Sequence, residues 1–181
     1  RVSLDNRTYT LSPEQTAHAT TIAAVGKRMG MPDHAVSVAL AAALQDSKLQ
    51  NLHYGGRDSL GLFQQRPSQG WGSETEVLTP HYAAGEFYRR LARVRGWESL
   101  PVTTAAQRVQ HSGAPLAYAQ WEHEARAIAQ AATGQIPAGL SCRVDVGPTQ
   151  ASGKPLRQAL TRDLGPLTLD VPVPEARGWT V

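Results

Sequence analysis

Cysteine is almost missing from this chain: among 181 residues there is one, Cys142. A single thiol excludes a disulfide framework, a paired redox motif and a cysteine-based zinc site within the sequence. Cys142 is then either a small core residue or a thiol whose partner lies outside this sequence. Charge is sparse as well. Only 18% of residues are charged, the formal net charge is +3, the pI is near 9.3, and no run of five or six basic residues marks a nucleic-acid tail. The mild positive balance suits an anionic polymer such as a cell wall, among many other partners. No apolar stretch approaches the ~18 residues that suggest a membrane span, and no secretory leader is present. The sequence starts at Arg1 without a methionine and stops at Val181. A trimmed piece of a longer protein is expected, with any export signal or anchor elsewhere. Internal repeats and low-complexity segments are also missing, so one domain of ordinary size plus an appendage is the expectation.

What is there is helical punctuation. Residues 1 to 11 alternate weakly through Val2, Leu4, Tyr9 and Leu11 and predict an extended lead-in. Ser12 and Gln15 form a capping box with Pro13 at the first helical position, which predicts a helix. Ala19, Ile22, Ala23, Val25 and Met29 share its apolar face, and Gly30 ends it. From Asp33 to Leu49 the run Ala35, Val36, Val38 to Leu44 leaves almost no polar face. A helix apolar all round is a buried one, and 17 residues is short for a membrane span. Its last turn changes abruptly to Gln45, Asp46, Ser47 and Lys48.

Residues 51 to 78 are glycine-rich around Leu60, Leu62 and Phe63 and predict a long functional loop with a short hairpin. Thr79 and Pro80 open a helix through Tyr82, Ala83, Phe87, Leu91 and Val94, stopped by Gly96. Thr104 and Gln107 form a second capping box for a short helix to Gln110. Pro115 starts a last helix through Tyr118, Trp121, Ala125, Ile128 and Ala132, closed by Gly134. Proline and glycine then dominate, which predicts a boundary near Ile136: residues 1 to 135 form the domain, and 136 to 181 a linker and an incomplete C-terminal α/β segment. In that tail Pro155 to Asp163 predicts a short helix and Leu167 to Val173 a strand.

Two carboxylates draw attention. Asp46 ends an otherwise apolar helix, where desolvation and the negative end of the helix dipole both favour the protonated acid. A general acid needs that state, although an aspartate that merely marks where the helix reaches water fits the pattern too. Asp58 sits in the glycine-rich stretch with Ser59, Gln64, Gln65 and Gln69, and with Tyr54 and Trp71 as flat apolar surfaces. Sugars are bound this way, by aromatic faces against C–H groups and by amides and carboxylates against hydroxyls. A turn aspartate is the competing reading of Asp58. The six histidines, His18, His34, His53, His81, His111 and His123, lack metal-ligand spacing, so neither a metal nor a cofactor is expected. Ser59 lacks the flanks of a nucleophile elbow. Trp97, Trp121 and Trp179 read as packing residues.

The string ALQDSKLQNL from Ala43 to Leu52, followed by RDSLGLFQQRPSQGWG from Arg57 to Gly72, resembles the lytic transglycosylase and goose-type lysozyme superfamily. It is most similar to an actinobacterial group of secreted or membrane-anchored lysozyme-like proteins. The resemblance runs from about residue 12 to 135, through AAQRVQHSGAP at 105 to 115 and on to Trp121. In that superfamily a Glu-Ser pair ends a buried helix and a Gly-Leu-hydrophobic-Gln motif follows. These match Asp46-Ser47 and Gly61-Leu62-Phe63-Gln64. Two positions depart from the pattern: Asp46 stands where the catalytic glutamate is usual, and Val109-Gln110 where a supporting Tyr-Asn pair is usual.

The resemblance implies a mainly α, lysozyme-like fold, outside the cytoplasm, with a buried central helix and the glycine-rich loop at a cleft. It implies cleavage of the β-1,4 linkage between N-acetylmuramic acid and N-acetylglucosamine in peptidoglycan, with Asp46 as acid and then base. A transglycosylase needs no second carboxylate, whereas a hydrolase needs a base, for which Asp58 is the candidate. Asp46, Asp58 and Gln64 are expected in one cleft, with Ser47, Tyr54, Ser59, Gln65, Trp71, Gln110 and Tyr118 contacting the glycan strand. Two other classes of function stay open: a peptidoglycan-binding scaffold that has lost the acid, and an interaction domain of an envelope assembly whose tail meets a protein partner. No nucleic acid is expected as a partner.

Overall fold

The computed structural model describes residues 1–137 and 139–141. The expected helix at Pro155 to Asp163, the strand at Leu167 to Val173, Cys142 and Trp179 lie outside the described residues. The chain is mainly helical, with a two-stranded antiparallel sheet of β1 (Val2–Leu4) and β2 (Arg7–Tyr9). Val2 pairs with Tyr9 and Leu4 with Arg7. The two-residue connection, Asp5 and Asn6, has positive φ at both positions, the geometry whose twist matches a hairpin and which Asp and Asn tolerate. The expected lead-in is therefore this hairpin. Val2 is buried and also bridges Leu140, and the amino terminus donates to the Ser141 carbonyl at 2.7 Å.

Helix α1 (Pro13–Arg28) starts with the predicted capping box: Gln15 N–H donates to Ser12 Oγ, and Ser12 N–H to Gln15 Oε1. Gly30 follows in the left-handed region. Met29 is exposed rather than on the apolar face. Helix α2 (Asp33–Ser47) is the buried rod that its composition requires, with every residue from Ala35 to Leu44 buried. It packs against α1, α4, α5 and α6. Tyr88 closes the opposite side of the core by donating its hydroxyl hydrogen to the Ile22 carbonyl at 2.9 Å.

The glycine-rich stretch is not structureless. Ser73 and Glu76 form a capping box for α3 (Glu74–Val77), an element the sequence reading placed within loop. The expected hairpin reduces to one bridge, Leu60 with Gln65, in which each N–H donates to the other's carbonyl at 3.0 Å. Gly61 turns that bridge with φ +76°, and a Cβ there would strike the Val77 carbonyl. Helix α4 (Pro80–Leu91) stops before Gly96, because its last residues tighten into turns at Arg93 and Val94.

Two boundaries differ from expectation. Helix α5 (Val102–Gln110) begins after Pro101, so Thr104 lies inside it instead of capping it. Val102, Ala105, Ala106 and Val109 are all buried and form one helical face, and that face outweighs the local capping signal. Pro115 does not start a helix either. Ala117, Ala119 and Trp121 each donate N–H three residues back, a turn followed by 3₁₀ structure over Ala119–Trp121, before α6 (Glu122–Ala132). Leu116 is 80% exposed and Tyr118 buried, a spacing that the tighter turn accommodates.

Candidate functional site at the end of the buried helix

The last turn of α2 is where the core reaches polar groups. Lys48 and Leu49 both adopt left-handed backbone and end the helix, with Lys48 N–H donating to Leu44 and Leu49 N–H to Ala43. Helix α1 holds this exit from outside: Gln15 Nε2 donates to the Lys48 carbonyl and His18 Nδ1–H to the Leu49 carbonyl, each at 2.8 Å. Non-glycine residues in this conformation need such support. The exit thereby fixes where Asp46 and Ser47 point.

Asp46 is half-buried. Burial pushes its pKa up to about 7, against smaller opposing influences of Gln110 and Lys48. Gln110, the last residue of α5, donates Nε2–H groups to Asp46 Oδ2 and to the Phe63 carbonyl, the latter at 3.0 Å. An amide N–H donates to an unprotonated carboxyl oxygen, so in the acid form of Asp46 the proton belongs on Oδ1. Beside it, buried Ser47 Oγ sits 2.7 Å from the Leu62 carbonyl and 3.1 Å from that of Ala43. The Gly61 to Gln64 turn is thus held by both residues of the Asp46-Ser47 pair, one directly and one through Gln110. Three segments distant in sequence meet at one carboxyl group.

Asp58 is placed otherwise. Arg66 Nε donates to its Oδ1 at 2.6 Å and Ser68 N–H to its Oδ2 at 2.8 Å. The bonds from Ser68 and Arg66 hold its carboxyl well below the usual carboxylate range. Both oxygens are engaged within the loop, so the group expected as a base is ionised at neutral pH and clamps the loop. Asp58 and Ser59 line a shallow cavity of about 390 Å³ with His53, Tyr54, Gly55, Arg57, Leu60 and Glu74. Asp46 is not among its lining residues. Gln64 Nε2 donates to the Tyr54 and Gly61 carbonyls at 3.3 Å, which ties its turn to the Tyr54 segment.

The remaining expected contacts divide by exposure. Tyr54 is 72% exposed and available to a ligand. Gln65 is buried and donates to the Ala83 carbonyl at 3.0 Å, which ties the loop to α4. Trp71 is buried, and the Arg90 guanidinium covers its ring at 3.6 Å. Tyr118 is fully buried. Burial first and the Asp46 charge second raise its pKa, with Ser112 a weaker opposing neighbour. Gln65, Trp71 and Tyr118 therefore shape the site from beneath and do not face a ligand. Sequence reasoning took them as contacts because a polar or aromatic residue carries no label of burial.

The same reasoning missed a group beside the acid. Lys48 Nζ lies 3.8 Å above the Trp121 ring, and Trp121 Nε1–H donates to Gln45 Oε1 at 2.8 Å. Gln120 Nε2 reaches the same oxygen at 3.2 Å. Glu124, half-buried on α6, has its pKa raised by burial, with Lys48 opposing. Partners some 76 residues apart leave no local signal. Among the described residues no group of three histidine, cysteine, aspartate or glutamate side chains is arranged to hold a metal ion, and no helix is long and apolar enough to cross a membrane. Comparison of the sequence with models of known protein families and with curated proteins gives no match.

Proposed function

We propose that the chain is a lysozyme-like domain that acts outside the cytoplasm on the glycan strands of peptidoglycan, with Asp46 as the general acid. The observation that carries this reading is a single carboxyl group, Asp46, half-buried at the end of an apolar helix and met by Gln110. A carboxylic acid whose pKa is raised to about 7 by burial is partly protonated at neutral pH, and that form can give its proton to a leaving oxygen. The three segments that carry the superfamily resemblance, at Asp46-Ser47, Gly61 to Gln64 and Gln110, converge on that acid.

The engagement of Asp58 favours the route that needs one carboxyl group. Asp46 Oδ1 gives its proton to the glycosidic oxygen as the bond from the muramyl C1 to that oxygen breaks. The muramyl 6-hydroxyl oxygen then bonds to C1, and its proton returns to Asp46. The products are a 1,6-anhydromuramyl end and a free N-acetylglucosamine end. A hydrolase would activate water with a second carboxylate, and Asp58 is held away from that work by Arg66 and Ser68.

Digestion of purified cell wall, with the soluble fragments analysed by mass, tests this reading. Anhydromuramyl ends support it, and reducing muramyl ends point to hydrolysis. If sacculi are bound and no fragments are released, the domain is a peptidoglycan-binding scaffold, the second reading that the aspartate in place of glutamate favours. If sacculi are neither cut nor bound, both readings fall.

A further inference from the structure

Lys48 is an exposed cation at the rim of the acid site, and it is held still. Its N–H and carbonyl are both fixed at the helix exit, and its ammonium rests on the Trp121 face, whose own indole is anchored to Gln45. A lysine side chain normally loses considerable rotamer freedom on binding a ligand, and this one has lost much of it already. Its neighbouring carboxyl groups neutralise it poorly. Burial disfavours the ionised forms of both Asp46 and Glu124. A pre-positioned cation with weak counter-ions beside a proton donor suits a ligand that brings its own carboxylate.

We infer that Lys48, seated on Trp121, binds the free lactyl carboxylate of N-acetylmuramic acid, so that the domain selects glycan strands from which the stem peptides have been removed. The inference rests on the reading of this site as a peptidoglycan groove. In strands that carry peptides the lactyl carbonyl is an amide and bears no charge. N-acetylglucosamine has no lactyl group at all. The carboxylate appears only after an amidase has acted: water adds across the amide bond, leaving the carboxylate on the sugar and the amine on the peptide. The reaction that supplies the preferred substrate is therefore the hydrolysis of the muramyl-peptide amide.

Binding can be measured by calorimetry against three probes: amidase-stripped glycan strands, the same strands with the lactyl carboxyl converted to a methylamide, and chitin oligosaccharides. The natural chain is expected to bind the stripped strands about tenfold more tightly than the methylamide form, the worth of a charge-assisted contact. Lys48→Met should lose that preference without weaker binding of chitin, and Lys48→Arg should keep it. Equal binding of stripped and methylamide strands by the natural chain, a comparison that needs no variant to fold, overturns the inference while leaving the glycan reading intact. A preference that survives in Lys48→Met overturns it as well. Binding of none of the three probes removes the glycan reading and the inference together.

Discussion

Asp46 and Asp58 carry the same side chain and are driven in opposite directions. Asp46 ends a helix buried on every side and meets one amide donor, so burial decides its state and it keeps a proton to about pH 7. Asp58 is about a third exposed and meets a guanidinium and a backbone N–H, so it stays ionised. At neutral pH the first is partly protonated and the second is ionised and bonded within its loop. Neither role follows from residue type; both follow from what each carboxyl group loses in water and gains in partners.

The comparison breaks most visibly in activity. Asp46→Asn removes the acid and should lower the release of wall fragments by about a hundredfold or more, the usual worth of general acid catalysis. Asp58→Asn should leave release within about tenfold, since it loosens the loop and touches no reacting atom. If Asp46→Asn cuts as well as the natural chain, Asp46 is not the acid. Asp46→Glu sharpens the same point from the other side. The aspartate carboxyl stops about 1.5 Å short of where a glutamate would place it, and a misplacement of that order costs about a hundredfold in rate. Fragment release should therefore rise by up to about that factor. A fall in release would show that the pocket around Gln110 is fitted to the shorter side chain.

Stability should separate the two carboxylates by sign. Asp46 has a folded-state pKa above its unfolded value, so the folded state holds the extra proton between about pH 4 and 7. Stability conferred by that proton is complete below the unfolded pKa and is lost as pH rises through about 7. Asp46→Asn should therefore match the natural chain near pH 4 and exceed it by about 4 kcal/mol at pH 8, read from urea unfolding at both pH values. Asp58 has a lowered folded-state pKa, so its contribution is present at neutral pH and lost in acid. Asp58→Asn should be less stable than the natural chain at pH 7, and the gap should close as pH falls. Parallel pH curves for both variants would contradict the opposed environments.

Much of this contrast was legible in the chain. The apolar run from Ala35 to Leu44 announces a helix buried all round, whereas the sequence leaves both a desolvated and a water-facing Asp46 open, and the structure has it half-buried with its pKa raised by burial. The capping box at Ser12 is likewise local chemistry, legible within four residues. What escaped was long-range. The partners that hold Asp58 are eight and ten residues away and give no periodic signal. Thr104 offered a cap that the buried face of Val102, Ala105, Ala106 and Val109 overrode. The Lys48, Trp121 and Gln45 group joins the end of α2 to a residue 76 positions further on, which no window of sequence contains.

The smallest expected effect concerns the one group that touches both Asp46 and the loop. Gln110 lowers the Asp46 pKa by donating to the ionised form, while burial raises it more. Gln110→Leu removes that donor, so the Asp46 titration, followed by carbon NMR of labelled aspartate, should move upward from about 7. The Phe63 carbonyl loses its 3.0 Å partner in the same change, which should cost about 1–2 kcal/mol of stability at pH 5. At pH 8 the loss should be larger, because an ionised Asp46 then has no amide to meet. Asp58, held by its own partners, should titrate as it does in the natural chain. If the Asp46 titration stays at about 7 without Gln110, burial alone sets it, and the usual Tyr-Asn pair has no functional counterpart at Val109-Gln110. If it moves downward, another donor or cation reaches the carboxyl group, and Lys48, two residues along the chain, is the first to test.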